Sequence, residues 1–184
     1  MMISINHVLV TLQVFFMFTS ATVERAYCSG PLSLDDKTPM VVPTIQFCQQ
    51  YNPLFEARPR WLIQATCIHA YYFWILYLTI LITAATNSWG TNHPKLQFGI
   101  LLGIGAKLYA VMFYHYMEFT SDMPPPNPLA YFGAEGAYIV SIGLVLYKII
   151  STTTTATNNN ATVTEPSVPV STSTTTPTTT KKQN

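Results

Sequence analysis

The chain has 184 residues, of which 49% are hydrophobic and only 9% charged, and its net charge is +1. Soluble domains carry about 25% charged residues, so an ordinary soluble domain is excluded. A near-neutral chain without an RNA- or DNA-binding motif also excludes nucleic acid as a partner. The three cysteines have no zinc-like spacing, and no metal or cofactor is expected. The expected fold class is all-α, a polytopic membrane four-helix bundle in the lipid bilayer, covering residues 6–150 and followed by a disordered tail over 151–184.

A first apolar segment runs over residues 7–23. It is either a membrane span or a secretory signal peptide. Thr19-Ser20-Ala21 supplies the small residues of a cleavage site, but no Lys or Arg precedes the apolar run, which weighs against a signal. Residues 24–60 are a polar connection with prolines at 31, 39, 43, 53 and 59. A loop of this length is usually functional or disordered, and Val41, Val42, Ile45, Phe47 and Cys48 can pack a short helix onto the membrane face. If the loop is luminal, Cys28 and Cys48 either pair in the oxidising compartment or remain two free thiols, with Cys67 inside a span.

Arg58-Pro59-Arg60-Trp61 then opens the second span, residues 62–85. A run of about 20 apolar residues crosses a ~30 Å hydrocarbon core. Proline suits a first helical turn, and Trp and Arg suit the headgroup boundary. Within this span His69 is costly to place in lipid, and Tyr72, Phe73 and Leu76 follow it at helical spacing. That face is expected to wall an aromatic pocket. The third span, residues 96–117, has a G-x-x-x-G face at Gly99 and Gly103, which admits a close helix neighbour. Lys107 lies near its middle, with Tyr114 and Glu118 on the same stripe and His115 beside them. The Pro124-Pro125-Pro126-Asn127-Pro128 run ends the helix. In the fourth span, residues 129–150, Gly133, Ala137 and Ser141 form a small-residue seam, while Tyr131, Glu135, Tyr138 and Ile142 share another face.

An ionisable group at mid-bilayer costs at least ~2.5 kcal/mol and is expected to face inward and find a partner. Lys107 and Glu135 fall at similar depths on adjacent antiparallel spans, so they form a structural ion pair, or Glu135 is the carboxylate that meets a cationic or hydroxyl-bearing ligand. His69 is either a satisfied neutral imidazole or a proton donor and acceptor. Glu118 is expected at a solvated helix end, and His93 and His115 as interfacial anchors or loop residues. In the tail, Lys181 and Lys182 resemble a di-lysine retrieval signal of the endoplasmic reticulum, which requires a cytosolic tail. The sequon Asn160-Ala161-Thr162 would then be inert.

Around the second span, Asn52-Pro53-Leu54, Pro59-Arg60-Trp61 and Cys67-Ile68-His69 together resemble the EXPERA family, which comprises the sigma-2 receptor, the emopamil-binding protein and their relatives. The similarity extends over about residues 6–150. It implies a four-helix protein of the endoplasmic reticulum with both termini cytosolic, and a cavity that takes sterols or lipophilic amines. The stripes, the intramembrane charges and the resemblance together give the expected ligand-binding residues as Glu24, Trp61, His69, Tyr72, Phe73, Lys107, Tyr114, Glu118, Glu135 and Tyr138.

Departures from the family are specific. The acid late in the family's first helix has its counterpart in Glu24, offset by about one position, and the acid of the second helix is replaced by His69. Glu135 and Tyr138 stand where the family has two aromatic residues. The isomerase branch places Glu four residues after His in its second helix, where this chain has Phe73. The expected function is therefore sterol or amphiphile binding in sterol homeostasis or trafficking. Sterol Δ8-Δ7 isomerisation, with His69 and Glu135 catalytic, is the first alternative. A ligand-free trafficking adaptor, with the small-residue faces as its contact surface for a partner or a second copy, is the other.

Overall fold

A computed structural model describes residues 4–89 and 93–161. They form an all-helical bundle with four helices long and apolar enough to cross a membrane, Ile5–Ser29, Arg60–Ala85, Pro94–Thr120 and Pro128–Thr154. The chain is thus a multi-pass membrane protein. Each span is longer than its apolar run suggests, because Ser4 caps the first, Pro59 precedes the second, and Pro94 and Pro128 occupy the first positions of the third and fourth. The fourth helix continues to Ala161, past the expected end at Ile150. There Ser151 and Thr154 return their hydroxyls to the carbonyls of Lys148 (3.1 Å) and Ile150 (3.0 Å). Lys181, Lys182 and Thr162 of the sequon lie outside the described residues.

Consecutive spans are antiparallel neighbours, and the first also packs on the fourth, which closes the ring. The first apolar segment is thereby an integral span of the bundle, and its Gln13 bonds Ser141 of the fourth span across the core at 2.8 Å. In the half of the bundle where the first span begins, Leu9, Ile80, Ala84, Trp89, Ile100, Ile104, Ile142 and Val145 form a continuous apolar core. A Cβ added to Gly103 would come within 2.7 Å of the Leu76 side chain, so this glycine seats the second span, as expected. A Cβ added to Gly99 or Gly133, by contrast, would meet nothing within 4 Å among the described residues, so neither seats a tight seam there. The outer surface is an apolar belt that includes Ile75, Phe98, Leu102 and Ile150, as a lipid-facing surface requires.

The polar connection is ordered into two short helices, Val41–Tyr51 and Pro53–Ala57. Val41, Ile45 and Cys48 supply the buried face of the first, in agreement with the sequence pattern. Two residues in left-handed conformation bracket this lid, Met40 (φ 68°) and Arg58 (φ 53°). Arg58 is held in place by its bond to the Tyr27 carbonyl at 2.6 Å and by stacking over the Tyr27 ring at 4.5 Å.

The cysteine pairing differs from expectation. Cys28 bonds to Cys67, 39 positions further along the sequence, and Cys48 is a buried free thiol. The first span continues straight to Ser29, so Cys28 stays alongside the second span and is carried away from the lid helix that bears Cys48. Burial pushes the Cys48 thiol pKa well up, which disfavours the reactive thiolate. Peptide mapping after alkylation with a polar reagent should recover Cys28 linked to Cys67 and leave Cys48 unlabelled until the protein is denatured. Closing a loop of 39 residues contributes at most about 4 kcal/mol, so Cys28→Ser should lower the thermal midpoint measurably.

Candidate functional site

In the half of the bundle adjoining the lid, the four spans line a cavity of about 700 Å³. Its walls come from Phe16 and Val23 of the first span, Trp61 and Phe73 of the second, Val111 of the third and Ala134 of the fourth, with Phe47 and Phe55 of the lid above. Ile68, Tyr109 and Phe113 line the cavity and are also exposed on the bundle's outer surface, so it reaches the lipid-facing side between the second and third spans. Trp61 stands at this opening, its ring 6.5 Å from those of both Phe113 and Tyr114.

One polar wall is built around Glu24. Residues Ser20–Glu24 form a π turn, which adds one residue to a helical turn and rotates everything beyond it. Glu24 thereby faces the second span, where His69 Nδ1 lies 2.9 and 3.0 Å from its two carboxyl oxygens. Ser20 and Tyr138 donate their hydroxyls to the same carboxyl at 2.8 and 3.2 Å. On the far side of the imidazole, Nε2 lies 2.7 Å from the Tyr77 hydroxyl, which accepts from the Lys107 ammonium at 2.6 Å. The hydrogens of this chain can be placed in one self-consistent direction. Lys107 donates to Tyr77, Tyr77 to Nε2, and Nδ1–H to Glu24, with His69 neutral between one cation and one anion.

Lys107 is 2% exposed and its ammonium sits in an aromatic cage, 3.9 Å from the Tyr77 ring centre, 4.6 Å from Tyr138 and 4.7 Å from Phe16. The expected Lys107–Glu135 pair is therefore absent among the described residues. The counter-charge of Lys107 is Glu24, reached through the Tyr77 hydroxyl and the His69 ring. Lys107 turns toward the second span because the aromatic rings and the Tyr77 hydroxyl compensate its lost hydration there. The disulfide holds this wall together, as Cys28 lies one turn beyond Glu24 and Cys67 two residues before His69.

The second polar wall lies across the cavity on the third and fourth spans. His115, expected as an anchor, is only 7% exposed and is among the residues around the cavity, its Nδ1 2.8 Å from the Tyr131 hydroxyl and its buried Nε2 without a hydrogen-bond partner among the described residues. Glu135 and Tyr114 line the same end, and the Tyr114 hydroxyl accepts from Asn52 of the lid at 3.1 Å. Glu118 is fully buried and not a solvated helix end. Its carboxyl neighbours Asn52 and Tyr114 outside hydrogen-bond geometry, and both oxygens lack a partner.

Of the residues expected at the site, Glu24, Trp61, His69, Phe73, Tyr114, Glu135 and Tyr138 line the cavity, Lys107 lies behind its wall and Glu118 beneath it. Tyr72 is 73% exposed and points into lipid, since one helical step from Phe73 turns it off the inner face. His115, around the cavity, and Tyr77, behind its wall, belong to the polar network although the pattern did not single them out for it. Tyr77 follows His69 at i+8, two turns along the same face, which is the spacing that would have found it.

Coupling along the buried chain is directly measurable. Glu24→Gln should lower stability by about 3 kcal/mol, because a lone buried ammonium remains at Lys107. Adding Lys107→Met should recover most of that loss in a thermal or chemical unfolding experiment, and additive effects would show that the two charges are uncoupled. Comparison with protein-family models, curated proteins and solved structures returns no match.

Proposed function

We propose that this protein binds sterols or related lipophilic and amphiphilic molecules within the membrane, in the manner of the sigma-2-receptor branch of the EXPERA family. The observation that carries the proposal is the cavity itself. A volume of about 700 Å³, apolar over most of its wall, with a few polar groups and an opening on the lipid face, suits one rigid lipophilic molecule entering from the bilayer.

The family resemblance draws support from the first span. The acid expected there is offset by one position, and the π turn at Ser20–Glu24 absorbs one residue, bringing Glu24 onto His69. Residence in the endoplasmic reticulum and a part in sterol homeostasis or trafficking belong to the same proposal and rest on the resemblance and on Lys181 and Lys182.

Isomerisation of a sterol double bond is the second reading, favoured by a specific observation. The cavity brings an imidazole–carboxylate pair, His69 with Glu24, to one wall and a second imidazole and carboxylate, His115 and Glu135, to the other. Such chemistry protonates one carbon and removes a proton from another, so acid and base on separate walls are what it needs.

The purified full-length protein in nanodiscs, incubated with a Δ8-sterol and analysed by mass spectrometry, should retain the sterol without converting it. Ala110→Trp, which places an indole in the cavity, should reduce retained sterol by roughly tenfold or more. Failure of the wild-type protein to retain sterol would overturn the proposal, and conversion abolished by His69→Ala would establish the isomerase reading instead.

A further inference from the structure

Arg25 is the only Lys or Arg of the first span. While Glu24 turns inward to His69, Arg25, one helical step on, reaches the outer flank of the second span. Its guanidinium stacks over Tyr71 and Trp74, 5.2 and 5.4 Å from their ring centres, and Tyr71 is 52% exposed on the lipid-facing surface.

This cation lies deep. With a rise of ~1.5 Å per residue, Tyr71 and Trp74 are roughly 16 and 21 Å from the start of the second helix at Arg60, close to the midpoint of its 26 residues. A hydrocarbon core of ~30 Å centred on that helix puts the guanidinium about 15 Å from either headgroup layer. Lipid phosphate does not reach it there without a local defect.

Arginine stays charged in lipid, and a charge at such depth is costly unless it is paired. Stacking on two rings offsets part of that cost. No counter-ion does: among the described residues the guanidinium makes no ion pair, and Glu24 is already bonded by His69, Ser20 and Tyr138. Arg25 Nε is enclosed without a partner, whereas the two terminal nitrogens, equally without a hydrogen bond among the described residues, keep accessible surface. They are the open donors of the patch.

A fork of two N–H groups matches a carboxylate, which accepts both bonds and cancels the charge. Below it Tyr71, Ile75, Leu78 and Ile82 fall at i, i+4, i+7 and i+11 and are 52, 74, 42 and 54% exposed, a ridge along which a second helix can lie. Another copy of this chain does not bring the acid. Of the carboxylates in the described spans, Glu24 is bonded, Glu118 is fully buried and Glu135 lines the cavity. We propose that the outer face of the first and second spans docks a transmembrane helix of another protein, one that carries an aspartate or glutamate near its midpoint and pairs it with Arg25. This docking is independent of what the cavity holds.

The test places the full-length protein in phosphatidylcholine liposomes with dye-labelled, leucine-rich transmembrane peptides and reads association by energy transfer. The peptides carry aspartate, asparagine or leucine at the central position. Wild-type protein should bind the aspartate peptide about tenfold more tightly than the leucine peptide, with asparagine between them, on the scale of polar contacts between helices in lipid. Moving the aspartate two turns from the centre should abolish the preference, a comparison that needs no variant protein. Arg25→Gln should bring the aspartate peptide down to the leucine level, and recovery of the Cys28–Cys67 disulfide by peptide mapping reports that the bundle still folds. Equal binding of all three peptides by the wild type, or an aspartate preference that survives Arg25→Gln, would overturn the proposal. Absence of that preference together with phosphatidic acid retained by the wild type and lost in Arg25→Gln, read by native mass spectrometry, would overturn it in favour of a lipid-phosphate site.

Discussion

Burial of one ammonium group governs the interior of this bundle. Lys107 lies near the middle of the third span and is 2% exposed, and an uncompensated charge in such a medium is worth several kcal/mol against folding. The compensation is spread over three helices. Three aromatic rings face the cation, the Tyr77 hydroxyl accepts its proton, and His69 carries the interaction on to Glu24. The first, second and fourth spans are therefore all fixed relative to the third by one charge, and two local features of the chain follow from that demand. A π turn aims Glu24 at the second span, and a disulfide clamps the first and second spans one turn from the pair.

Much of this was legible in the sequence. Four spans, the lid helix face at Val41, Ile45 and Cys48, the Gly103 contact and several of the cavity-lining residues follow from hydropathy, periodicity and a single costly residue, His69, in an apolar run. What the sequence does not carry is azimuth. Lys107 and Glu135 lie at matching depths, yet depth leaves open which neighbouring helix a side chain faces, and Lys107 turns toward Tyr77. The π turn is equally silent, because no residue type marks it, and it decides whether Glu24 faces lipid or His69. The cysteine pairing depends on the same geometry: with the first helix prolonged through its π turn to Ser29, Cys28 runs beside Cys67 and not beside Cys48. The position of Glu118 was misjudged for another reason. Distance from the helix centre suggested solvent, but Asn52, supplied by the lid from far along the chain, covers it.

The aromatic cage also bears on what the cavity can recognise. Rings disposed around an ammonium are a general receptor for cations, and here Phe16, Tyr77 and Tyr138 are filled by the protein's own lysine. A basic ligand approaching the Glu24 wall would find the carboxyl already bonded by three groups and its charge already balanced through His69 and Tyr77. To bind there it must compete with an intramolecular cation that loses no translational freedom on association. The Glu24 wall thus serves the protein's own architecture, its polar groups already engaged by His69, Ser20 and Tyr138. The saturation of each hydrogen-bonding group decides which part of a polar wall is left to a guest.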